Sequence, residues 1–156
     1  VPQMQAQTYY STTMTPQIQI GFNGGIWAML EAAVRGQIPA GDTLYVVTGA
    51  AFGRNGEDVP VKKILNKNDS KMLPVPNYYW KVLLKVKRDS DKNVISASSI
   101  GFWFEHKVYS NDSYTNYAVS VDQVEEWTGF DFFVNVPDAV EAAAEANASW
   151  TTFQKF

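Results

Sequence analysis

Tyr78–Phe104 reads YYWKVLLKVKRDSDKNVISASSIGFWF, and this stretch decides the architecture. Two runs rich in β-branched and aromatic residues, Tyr78–Val86 and Val94–Phe104, read as strands. Between them Lys87–Asn93 is polar, a hairpin connection by composition. Strands joined this closely pair antiparallel, because a parallel pair needs a crossover of about a dozen residues or more. The aromatics Tyr78, Tyr79, Trp80, Phe102, Trp103 and Phe104 are then core and cross-strand partners rather than base-stacking platforms.

Working outward, Asp42–Gly49 is a near-continuous apolar run bounded by turn residues, which predicts a buried strand. Thr8–Thr12 reads as a short strand. From Phe22 to Gly36 the period turns helical, with Ile26, Met29, Leu30, Ala33 and Val34 on one face and Gly36 as C-cap. Gly53–Pro76 is polar, rich in Lys and Asn, and predicts a loop. Ser120–Gln123 is a capping box opening a helix that Gly129 ends. Asp138–Glu141, just after Pro137, repeats the device with Asp as cap and opens an Ala-rich helix reaching Ser149. Strands and helices do not alternate as regular βαβ units. The class is therefore α+β, a mainly antiparallel central sheet flanked by helices.

With 156 residues, 46% of them hydrophobic, and no internal repeat, residues 1–156 form one domain that needs no disulfide or structural metal to fold. There is no cysteine, which excludes thiolate nucleophiles and zinc ribbons. No run of 18 apolar residues occurs, which excludes a membrane-spanning helix of that kind. The net charge of −3 hides a sharp asymmetry. Residues 60–110 carry ten basic and four acidic side chains, and residues 111–156 one basic and eight acidic. The basic middle is either a solvated sheet face or a surface for phosphates. Three Asn-x-Ser triplets, at Asn68, Asn111 and Asn147, are common by chance in such loops.

The chemistry concentrates in residues 12–35, TTMTPQIQIGFNGGIWAMLEAAVR. On the expected helix Asn23, Trp27, Glu31 and Arg35 follow at steps of four and drift from the edge of the apolar face to its opposite side. Asn23 offers a neutral oxygen and Glu31 a carboxylate, both hard ligands suited to Mg²⁺. Arg35 could hold a phosphate oxygen or stabilise charge in a transition state. Against this stands an ordinary reading: Glu31–Arg35 as a surface ion pair worth about 0.3–0.5 kcal/mol, and Asn23 as an N-cap before a Gly-Gly turn.

Thr15-Pro16-Gln17, followed by Phe22-Asn23-Gly24-Gly25-Ile26-Trp27-Ala28-Met29-Leu30-Glu31, resembles the core motif of the DNA/RNA non-specific endonucleases, the ββα-metal nucleases. That motif runs Asn-x-x-Pro-Gln, then Asn-x-Gly-x-Trp-x-x-Leu-Glu, with an Arg four residues on. Further matches follow in order at 42–49, 75–82, 119–125 and 128–133, so the resemblance covers nearly the whole chain. It implies a Mg²⁺-dependent hydrolase of phosphodiester bonds in DNA and RNA. Asn23 is then similar to the direct metal ligand, Glu31 to the carboxylate that reaches the ion through water, and Arg35 to the arginine on the phosphate. Thr13 and Gln17 fall among the substrate-positioning residues. The alternative is a nucleic-acid-binding or structural module that keeps the fold and has lost catalysis.

Two departures bear on this. Thr13 stands where the family has Asn, and Met29 where it often has Arg. The family's general base lies in an Asp-Arg-Gly-His segment ahead of the Pro-Gln block, and this chain starts too late to contain it. The expectation is thus the larger, C-terminal part of such a nuclease domain. His106 is the single histidine and reads as a surface or half-buried strand residue without a catalytic role. Export, to the periplasm or outside the cell, is the expected setting, since a non-specific nuclease would damage its own cell.

Overall fold

A computed structural model describes residues 14–37 and 43–156. Four strands form the main sheet in the order β1 (Leu44–Ala51), β4 (Tyr78–Arg88), β5 (Val94–Glu105), β6 (Ala118–Val119), every neighbouring pair antiparallel. β2 (Lys63–Leu65) and β3 (Met72–Pro74) pair apart from it as a small antiparallel ribbon. The helices are α1 (Ala28–Arg35), α2 (Val121–Thr128), α3 (Asp138–Glu145) and α4 (Trp150–Lys155). The α+β class and the mainly antiparallel sheet are as expected.

β4 is the spine. Its first nine residues are all buried, because β1 and β5 flank it and helices cover both faces. Alternate side chains part to opposite sides. Tyr79 and Leu83 join Ile100, Phe102 and Phe104 of β5 beneath Phe22, Ile26, Trp27, Leu30 and Val34, with Trp150 and Phe153 of α4 closing this core. Tyr78, Trp80 and Val82 meet Val121 and Val124 of α2 and Phe132 on the other face, and Leu84 and Val86 continue it to Val136. The hairpin is as read: Asp89 accepts from the backbone N–H groups of Asp91 and Asn93 and closes the turn.

Several expectations are corrected. β1 is an edge strand, and Tyr45, Val46 and Val47 are exposed rather than buried. An apolar run states what a strand could bury; only strand order states what covers it. The polar stretch 53–76 is not all loop, since β2 and β3 pair across the turn around Asn66–Lys71. The Ala-rich helix stops at Glu145, and a separate α4 begins after Ser149, whose hydroxyl accepts from Thr152 N–H. Pro137 precedes α3 and its carbonyl accepts from Val140 and Glu141, so Asp138 is the first helical residue and not the cap. Ser120 does cap α2, accepting from Gln123 N–H, and Gly129 ends it at φ +72°. The strand expected at Thr8–Thr12, and Asp42, lie outside the described residues.

The regular part of α1 starts at Ala28, not Phe22. Gln19–Trp27 winds toward it in wide turns, leaving helical geometry at Ile20, Gly21 and Gly25. Gly21 has φ +81°, and a Cβ there would stand 2.7 Å from Val108 Cγ1. Only glycine suits this corner.

Candidate active site: the approach to helix α1

Residues 14–18 reach α1 by crossing the end of the central hairpin, and two aromatic side chains clamp them there. The Tyr79 hydroxyl donates to Pro16 O at 2.9 Å, which leaves its oxygen to accept from Thr15 Oγ1 at 2.8 Å. Burial pushes the Tyr79 hydroxyl up, while the Thr15 and Gln17 side chains hold it down. Ile18 N–H donates to His106 Nε2 at 2.8 Å, and His106 Nδ1 lies 2.9 Å from Pro76 O. An acceptor Nε2 and a carbonyl partner for Nδ1 together specify the neutral tautomer with the proton on Nδ1. The ring packs against Phe22 and Tyr79, with centroids 5.0 Å from each. Burial lowers the His106 pKa, and the Lys62 charge adds to the effect. The half-buried placement expected for His106 holds. Its work is to pin the approach segment to the sheet.

Asn23 sits in the wide turns, its backbone N–H donating to Ile18 O at 2.9 Å. Its side-chain Nδ2 donates to Gln19 Oε1 at 3.1 Å. That bond occupies the end of the amide that cannot bind a cation. Among the described residues Oδ1 has no hydrogen-bond partner and is left as a ligand oxygen. The expectation that Asn23 begins the helix itself is corrected. It precedes the first regular turn, so the 12 Å or so of rise that eight helical residues would impose between Asn23 and Glu31 does not apply.

Trp27 is buried, Glu31 is half-buried and Arg35 is exposed, which is the drift that steps of four predict. Among the described residues Glu31 and Arg35 form no ion pair within 4.0 Å; the ion pairs described are Arg54–Glu57, Lys71–Asp69 and Lys107–Glu105. Both side chains are therefore available to a ligand. A neutral amide oxygen and a carboxylate, neither hydrogen-bonded nor ion-paired among the described residues, suit a hard divalent cation. Gln17 is half-buried at the clamped segment. Thr13 lies outside the described residues.

Sequence reasoning missed two neighbours. Gln19 orients the Asn23 amide, and its spacing of four before Asn23 was the available signal. Lys81 was counted in the basic middle, yet it is buried beneath α1, with its ammonium donating to Thr48 Oγ1 and lying 4.8 Å from the Trp27 ring centroid. Burial lowers its pKa and the Glu31 charge opposes that shift. A lysine four residues before another inside an apolar strand marks both as inward-facing, and Lys85 is buried as well.

A family model described as DNA/RNA non-specific endonuclease matches residues 1–139. The chain belongs to that family. It is 30% identical over 131 residues to nuclease C1 of Cunninghamella echinulata var. echinulata, covering 81% of this chain and 49% of that protein. It is 28% identical over 139 residues to a nuclease of Serratia marcescens, covering 88% and 47%. A mitochondrial nuclease of Saccharomyces cerevisiae is 24% identical over 145 residues, covering 90% and 44%. The chain thus spans about half the length of the curated relatives it matches. Among the described residues no helix is long and apolar enough to cross a membrane.

Proposed function

We propose that this chain carries the metal-binding and phosphate-contacting half of a Mg²⁺-dependent endonuclease that hydrolyses phosphodiester bonds in DNA and RNA without regard to the sugar. The observation that supports the reading is the Oδ1 of Asn23, aimed by Gln19 and without a hydrogen-bond partner among the described residues, in the segment that leads into α1, where a half-buried Glu31 has no ion-pair partner among the described residues. Asn23 and Glu31 would hold the cation. When bound, Mg²⁺ supplies a Lewis acid that polarises the scissile phosphate and steadies the departing 3′ oxygen. Arg35, exposed at the end of α1, contributes a guanidinium for phosphate oxygens. Gln17, and Thr13 ahead of it, would position the substrate strand. A setting outside the cytoplasm fits an enzyme with so little selectivity.

The chain's single imidazole is committed on both nitrogens to backbone groups, so it is not free to activate water. On this reading a histidine general base is supplied from outside these 156 residues. The same observation favours the second reading, a module that binds nucleic acid without cutting it. Incubating the 156 residues with supercoiled plasmid and Mg²⁺ tests the assignment, with a longer version carrying an upstream Asp-Arg-Gly-His segment as comparison. The expected result is brisk, EDTA-sensitive nicking by the longer protein and a rate lower by about 10²–10⁴-fold for the chain alone, the usual worth of a general base. Brisk nicking by the chain alone would assign that role to a residue within it. Tight binding without nicking by the longer protein would establish the second reading.

A further inference from the structure

The acidic excess of the last 46 residues is not spread evenly. α2 and α3 pack on the face of the sheet opposite α1, and their carboxylates converge. Asp122 lies in the first turn of α2, Glu125 one turn on, and Glu145 at the end of α3. One carboxylate oxygen from each lies within 4.8 Å of the other two. Glu125 spends Oε1 on the Phe132 N–H at 2.6 Å, and its other oxygen remains.

Glu145 makes the cluster more than a solvated surface. It is only 7% exposed, and among the described residues its buried Oε1 has no hydrogen-bond partner. The helix around it is fixed: Ser99 Oγ donates to Ala144 O at 2.9 Å, and Asn147 Nδ2 donates to Ser99 O at 2.8 Å. Glu141, one turn before, also has a buried oxygen without a partner. Among the described residues no lysine or arginine pairs with any of these carboxylates. A buried, unpaired carboxylate is strongly disfavoured unless it takes up a proton or a cation. Burial pushes Glu145 up to about 8, and the charges of Glu125, Glu141, Asp122 and Asp131 push the same way.

We propose that Asp122, Glu125 and Glu145 form a divalent-cation site, separate from Asn23 and Glu31, that takes Ca²⁺ and ties α2 to α3. Three oxygens within 4.8 Å of one another close on one ion with small side-chain adjustments. An irregular, partly hydrated carboxylate shell suits Ca²⁺, which accepts oxygens at about 2.3–2.6 Å in flexible geometry; Mg²⁺ demands about 2.0–2.1 Å and near-ideal octahedral geometry. Asp122 is exposed, so water completes the shell on that side. The role is structural. The ion would join two short helices that otherwise repel each other where they meet, and the inference does not depend on the chain being a nuclease.

The test uses Asn23→Ala as background, so that binding near α1 is removed. After chelation, Ca²⁺ is titrated by calorimetry and thermal unfolding is followed with and without the ion. The expected result is one Ca²⁺ per chain, with a melting temperature raised by several degrees. Glu145→Gln keeps the shape of the buried side chain, and Asp122→Asn alters an exposed one. Each should lower the affinity at least tenfold with an unchanged circular dichroism spectrum. Loss of all Ca²⁺ binding in Asn23→Ala would overturn the proposal, as would carboxamide variants that bind and are stabilised like their parent. An equal stabilisation by Mg²⁺ would overturn the choice of ion.

Discussion

Asn23 and Gln19 share one hydrogen bond, and its direction matters more than its strength. By accepting from Nδ2, Gln19 fixes which way the Asn23 amide faces and leaves Oδ1, the one atom of that amide a cation can use, without a hydrogen-bond partner among the described residues. In a version carrying the upstream base, Asn23→Ala should abolish most Mg²⁺-dependent plasmid cleavage. Glu31→Gln should reduce it, and both proteins should keep their circular dichroism spectra. Gln19→Ala should weaken the apparent Mg²⁺ affinity by about 10–100-fold, the usual cost of removing an outer partner, with activity recovering at high Mg²⁺. Cleavage by Asn23→Ala at the wild-type rate would remove that residue from the role. His106 makes a different prediction. Its folded pKa lies below the ordinary 6.5, so its contribution to stability is present above about pH 6.5 and is lost as pH falls through the folded value. Protonation puts a hydrogen on the nitrogen that accepts from Ile18. Melting temperatures measured from pH 7.5 to 5 should fall more steeply for wild type than for His106→Gln. Parallel curves would mean that the ring does not titrate against folding.

Among the elements, the β1–β4 pairing rests on an unequal partnership. Gly49 stands directly opposite Trp80, and a Cβ on Gly49 would collide with the indole. A glycine in a strand is usually a weakness; here it makes room for a large buried ring. Gly49→Ala should cost about 1–3 kcal/mol by overpacking, read as a fall in melting temperature of about 2–4 °C per kcal/mol for a chain of this size. Ser120→Ala removes the N-cap of α2 and should cost about 1 kcal/mol. A Gly49→Ala protein as stable as wild type would mean that β1 shifts freely along the sheet edge. Trp80, on the α2 face, and the approach to α1 are served by the same two strands, so the hairpin positions both helical layers.

Over the whole molecule, charge is sorted by layer. The ten basic side chains of residues 60–110 are not one surface, because Lys81 and Lys85 point into the core beneath α1 and α4. Lys62, Lys63 and Lys67 are exposed around the β2–β3 ribbon, and Lys62 lies close enough to act on His106. If this ribbon faces nucleic acid, reversing Lys62, Lys63 and Lys67 to Glu should weaken duplex binding whatever the sequence. The slope of log affinity against log salt should become shallower by up to about 0.9 per lost phosphate contact. Filter binding over a salt series measures both. Unchanged affinity would assign these lysines to a solvated face.

Local pattern was enough for the hairpin and for the caps at Ser120 and Gly129, because each depends on residues within a few positions of one another. The family was legible for the same reason, since its motif is short and lies in one segment. What neighbours what was not legible. The run at 44–51 is equally apolar at an edge or a centre, and only the order β1-β4-β5-β6 leaves it exposed. His106 lies 88 residues from Ile18, and Glu145 arrives beside Asp122 and Glu125 from another helix. Lys81 looks like surface charge until α1 is laid over it. Burial, proton affinity and ion binding all depend on what surrounds a group in space, and chain folding brings that surrounding from far away in sequence.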